Sequence, residues 1–80
     1  MSGKPFLIVA LAGDELVATA ALSSAAADVW TMTFAGGSFP VVGEARVRQL
    51  LDRLHGYERE DPETGGPLPP GVEGYRLGRR

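Results

Sequence analysis

Seven consecutive apolar residues, Phe6 to Ala12, stand between Pro5 and Gly13, and two carboxylates follow at Asp14 and Glu15. That run constrains the fold more than any other feature of the chain. It is too short to cross a bilayer as a helix, and the carboxylates stop it from lengthening. They also break the unbroken apolar core that a signal peptide needs, although Lys4 precedes the run and Ala25-Ala26-Ala27 resembles a cleavage site. The expectation is a soluble, cytoplasmic chain with no membrane partner. Ile8 and Val9 add β-branching, so the run reads as a strand. It is apolar on both sides, with Leu7, Val9 and Leu11 on one and Phe6, Ile8 and Ala10 on the other.

The segment after it admits two readings. As a strand, residues 15–22 return through a two-residue Gly13-Asp14 turn of type II′. Leu7, Val9 and Leu11 then share a face with Leu16, Ala18, Ala20 and Leu22. The other face carries Phe6, Ile8, Ala10 and Ala12 with Glu15, Val17, Thr19 and Ala21. As a helix, residues 14–27 begin at an Asp14 N-cap, and alanine favours it, giving a βαβ unit. The turn and the uniform first face favour the hairpin.

Residues 28–35 alternate Trp30, Met32 and Phe34 with Val29, Thr31 and Thr33, as a strand does. Gly36-Gly37 turns the chain, and residues 38–42 return beside it, with Pro40 restricting that strand to an edge or a bulge. The clearest helix is 44–55. Val47, Leu50, Leu51 and Leu54 form one apolar stripe, Gly43 stands at the N-cap and Gly56 at the stop.

Composition changes after residue 57. Four of the six prolines and a cluster of glycines fall in residues 58–80. Such a segment buries too little apolar surface to offset its ordering entropy. The expectation is one small domain at 1–57 and a tail at 58–80, partly flexible or docked back through Leu68, Val72, Tyr75 and Leu77. The fold class expected is α+β: a small antiparallel sheet of three to four strands with one helix packed on a face.

Chemistry is sparse. The absence of cysteine removes disulfides, thiolate metal sites and a cysteine nucleophile. One histidine, His55, rules out a multi-histidine site, and its place at a helix end suits the macrodipole. Asp14 and Glu15 fit a turn better than a catalytic pair. Gly36-Gly37-Ser38 lacks the lysine and adjoining helix of a phosphate loop. No catalytic residue, metal or cofactor is expected.

The arginines make the best case for a charged partner. Arg46, Arg48 and Arg53 fall on the helix, and Arg79 and Arg80 close the chain beside Arg76. A nucleic-acid-binding regulator would use Arg46, Arg48, Arg53, Arg79 and Arg80. Yet the chain's net charge is −2, and residues 44–80 balance acid against base. A small-ligand binder or enzyme would place a pocket near Trp30. A row such as Trp30, Met32 and Phe34 is more often core.

Energetics favour association. A chain this small, without a disulfide or metal, ends near zero net stability. One helix covers one sheet face, so Phe6, Ile8, Ala10 and Val17 remain as an apolar face for a partner. The function expected is a non-enzymatic interaction or accessory module, acting as a homo-oligomer or on another protein.

Overall fold

Gly13 and Asp14 fold the chain back on itself, and the structure, a computed structural model, describes residues 5–60 and 69–79. Gly13 adopts φ 65° while Asp14 is not left-handed, as a type II′ turn requires. The turn joins β1 (Leu7–Ala12) to β2 (Glu15–Ser24). β3 (Val29–Phe34) and β4 (Gly37–Val42) extend the meander antiparallel, and α1 (Glu44–Asp52) follows. β5 (Tyr57–Arg59) and β6 (Val72–Arg79) complete the chain.

All the strands join one sheet in the order β4-β3-β2-β1-β6-β5. β6 lies parallel to β1 along its whole length, Leu7 opposite Val72 and Ala12 opposite Leu77. The other pairings are antiparallel. α1 touches β3 and β4 near one edge of the sheet and β5 at the other. One nine-residue helix reaches both edges because the sheet curls into a half-barrel around it.

This overturns the expected α+β architecture of three to four antiparallel strands with a helix on one face. It also overturns the βαβ alternative, since residues 15–24 are strand. The reason lies after residue 57. Tyr75 and Leu77 alternate with exposed Gly74 and Arg76 along β6, and both are buried. The sheet therefore runs on through β5 and β6. Of the segments expected to dock back, Val72, Tyr75 and Leu77 lie in β6, while Leu68 lies outside the described residues.

Inside the curl the middle strands carry small residues and the flanking strands large ones. Ala10, Ala18 and Ala20 meet Trp30, Met32, Tyr75 and Leu77, with Val47 and Leu51 of α1 above them. Small residues in mid-sheet let the flanking aromatics and the helix close over them. The Tyr75 hydroxyl is buried there without a hydrogen-bond partner among the described residues.

The helix begins at Gly43, φ 98°, with no cap from its own side chain. Asp28, at φ 54°, supplies one from the β2–β3 turn. Its Oδ2 accepts the Glu44 N–H at 3.1 Å, and its Oδ1 accepts the Trp30 indole N–H at 2.8 Å. One carboxylate thus ties the helix start to the largest core side chain. The helix ends at Asp52, short of the expected residue 55, and Gly56 (φ 85°) serves the turn into β5.

Candidate interaction surfaces

A single bulge decides which face of the hairpin meets solvent. Next to the turn, Ala12 opposes Glu15 and Leu11 opposes Leu16. Between Ala10 and Leu11 the register shifts, so that Ala10 opposes Ala18 and Ile8 opposes Ala20. Val17 is the extra residue. An extra residue moves every side chain beyond it to the other face. The consequence is that Ile8, Ala10, Ala18 and Ala20 point into the curl, and Leu7, Val9 and Leu11 point out.

The four residues expected on an open face are thereby separated. Ile8 and Ala10 are 0% exposed, inside the core, and offer no surface. Val17 is half-buried against the core. Phe6 is exposed, its ring lying where a Cβ on Gly71 would stand. The outer face instead carries Leu7, Val9 and Leu11, all half-buried, with Leu16 56% exposed and Val72 beside Leu7. No described element packs over this row. Thr19, Thr31 and Thr33 flank it on the β2–β3 side, with Ser23 bonded to Thr31 and Ser38 to Thr33.

Both sheet edges are blunt. β5 is three residues long. On β4, the Gly43 N–H bonds the Asp28 carbonyl, across the ladder that pairs Val42 with Val29. Alternation along that ladder turns residue 40 outward, so the missing donor of Pro40 falls on the open edge. A proline there discourages addition of another strand.

The expected anion-binding arginines do not form one patch. Arg48 is held by two carboxylates. Its Nε and one terminal nitrogen bond Glu44 at 3.0 and 2.8 Å, and both terminal nitrogens bond Glu73, one at 2.9 Å. The hydrogen bonds from Arg48 hold the Glu73 carboxyl below the usual carboxylate range, and those to Glu73 raise the Arg48 guanidinium further. Arg79 pairs with Glu15 at 2.9 Å on the surface. Arg80 lies outside the described residues. Arg46 bonds only Gln49, at 3.3 Å, and Arg46 and Arg53 have no ion pair among the described residues. Arg59 stands over the Tyr75 ring at 4.5 Å.

Two clefts open on the inner side, beside the helix. One, about 610 Å³, lies between the β2–β3 end of the sheet and the chain after α1, lined by Val17, Ala18, Phe34, Leu54, His55 and Tyr57 among others. The second, about 540 Å³, lies between β4 and α1, lined by Phe39, Val42, Arg46 and Leu50 among others. Phe34 and Phe39 stack between them, centroids 5.6 Å apart. Trp30 lines neither cleft and is 1% exposed in the core. His55 and Gly36 both line the larger cleft; the β3–β4 turn is Ala35-Gly36, with the expected turn residue Gly37 already in β4 opposite Phe34, and Asp14 lies in the β1–β2 turn.

Among the described residues no group of three or more His, Asp or Glu side chains gathers as metal ligands would. No described helix is long and apolar enough to cross a membrane. Comparison with protein-family models, with curated proteins and with solved structures finds no match to this chain.

Proposed function

We propose that the chain is a non-enzymatic interaction module that self-associates through the outer face of its sheet. One observation carries this reading: Leu7, Val9 and Leu11 form an unbroken apolar row on the face away from the helix, with Leu16 and Val72 against it. An antiparallel sheet that meets water on its second face ordinarily alternates apolar with polar residues, and β1 does not. The blunt edges favour face packing over strand addition.

Charge at the rim fits a two-fold arrangement. Arg76, opposite Leu11, is exposed on the outer face, and Glu58 and Glu60 stand across β6 beside Gly78. Two copies packed face to face would bring each Arg76 toward the other's acidic rim. The molecule's two long dimensions, 35 × 31 Å, give this face room for the roughly 800 Å² per partner of a standard interface.

Size-exclusion chromatography with light scattering over a wide concentration range tests the reading. A dimer that dissociates on dilution, and becomes a monomer with unchanged circular dichroism in Val9→Glu, is the result expected. A wild-type monomer at every concentration would overturn it.

A further inference from the structure

The flank of α1 carries a second surface, on the opposite side of the sheet. Its two clefts share the Phe34–Phe39 stack as a dividing ridge. The helix contributes Leu50 to the smaller, and the tighter turn that follows it past Asp52, in which the Arg53 and Leu54 N–H groups donate to the Leu50 and Leu51 carbonyls, contributes Leu54 to the larger. These leucines are four residues apart in the chain, about one turn. Arg46 stands on the helix at the smaller cleft, and Arg53, the residue that caps the helix C-terminus, follows seven residues on, about two turns away. Both are exposed and without an ion pair among the described residues. Arg48, on the other flank, is saturated by Glu44 and Glu73.

We propose that this flank docks an acidic amphipathic helix of another protein. Two apolar side chains one turn apart enter the clefts on either side of the aromatic ridge. Two carboxylates, two turns apart, meet Arg46 and Arg53. The spacing of both sets is helical, and a helix laid along α1 satisfies both at once. The apolar clefts give a phosphate backbone nothing to bind, and two guanidiniums are few for a polyanion. A second copy laid along α1 about a two-fold axis would set Arg46 and Arg53 against their own counterparts, which like charge opposes.

The probe is a synthetic Ala/Gln helix of about 18 residues, long enough to hold its helicity, with Leu at i and i+4 and Glu at i−4 and i+3. Its counterpart has Gln in place of both Glu. Fluorescence anisotropy should show saturable binding of the acidic peptide, at least tenfold tighter than its counterpart and weakening with salt. Arg46→Glu with Arg53→Glu should remove that preference, and Phe39→Ser should weaken both peptides. All three positions are exposed, so circular dichroism should stay unchanged. Val9→Glu should bind the acidic peptide like the wild type, which separates this proposal from self-association through the outer face. Equal affinity for the two peptides, or no binding of either, overturns it. So does an oligonucleotide that binds more tightly through the same arginines, or a self-association that Phe39→Ser abolishes.

Discussion

β1 carries two apolar rows, and their fates differ. Ile8 and Ala10 are fully buried, whereas Leu7, Val9 and Leu11 are only half-covered. The outward row has the larger side chains. Hydrophobicity of the strand itself therefore did not choose the core. The choice was made by what each row meets. The inner row faces Trp30, Met32, Tyr75 and Leu77 from flanking strands and Leu51 from the helix, and the outer row meets threonines and Arg76. Burial follows register and the reach of neighbouring large residues, because apolar area counts only when something covers it.

The largest perturbation of that contrast is to end the chain after Glu60. The truncation removes β6, which borders β1 along its full length, and takes Tyr75 and Leu77 from the core. β1 would become an edge and the inner row would lose its cover. No cooperative thermal transition is expected by circular dichroism. A sharp transition close to that of the full chain would show that the meander and helix form a self-sufficient unit.

Paired substitutions in β1 test the contrast directly. Ile8→Ala should cost about 3 kcal/mol in urea unfolding, from lost burial plus the cavity left behind. Val9→Ala, one position along on the open row, should cost less than about 1 kcal/mol at concentrations where the chain is monomeric. Equal losses would mean that the outer row is covered as well as the inner.

Parts of this arrangement are legible in the sequence. The β1–β2 turn is, because Gly13-Asp14 specifies type II′ chemistry locally. Most strand and helix positions up to Asp52 follow from periodicity. The faces of the hairpin are not, because Leu16 and Val17 are both apolar and nothing in the pattern marks one as a bulge. The docking of Val72, Tyr75 and Leu77 is legible, but their place in a strand beside β1 is not, because β1 is more than sixty residues away in the chain, and Gly74, Gly78 and the prolines before it resemble a loop. The signal present was Tyr75 and Leu77 at strand spacing. Arg48 looks free for the same reason: its second carboxylate, Glu73, stands on that unexpected strand. Arg46 lies on the helix as its spacing indicates, whereas Arg53, expected on it too, falls one residue past its end as the C-cap.

Asp28 tests whether the inner face needs its helix held in place. Asp28→Ala removes the acceptor of both the Glu44 N–H and the Trp30 N–H. It should cost about 2 kcal/mol, with the indole left unsatisfied near the core. Asp28→Asn tolerates the left-handed backbone and keeps one acceptor oxygen, so about half that loss is expected. Urea midpoints with unchanged slopes measure both. If the two variants lose the same amount, the negative charge at the helix start matters more than the number of bonds accepted.

The smallest effect expected concerns the ion pair that ties β6 to the helix. The hydrogen bonds from Arg48 hold Glu73 below its ordinary value near 4.3, so the folded chain binds that proton less readily than the unfolded one. The stabilisation is therefore present in full above the unfolded value and is lost as pH falls through the lower, folded one. Both side chains are about a third exposed, so solvent screening limits the gain to roughly 1 kcal/mol or less. Glu73→Gln should lower the melting temperature slightly at pH 7, and the difference from wild type should shrink toward pH 3. Arg48→Gln should give the same convergence, since either substitution breaks the same link. A gap that stays constant from pH 7 to pH 3 would mean that Glu73 joins β6 to α1 through packing of its methylenes, with its charge making no difference.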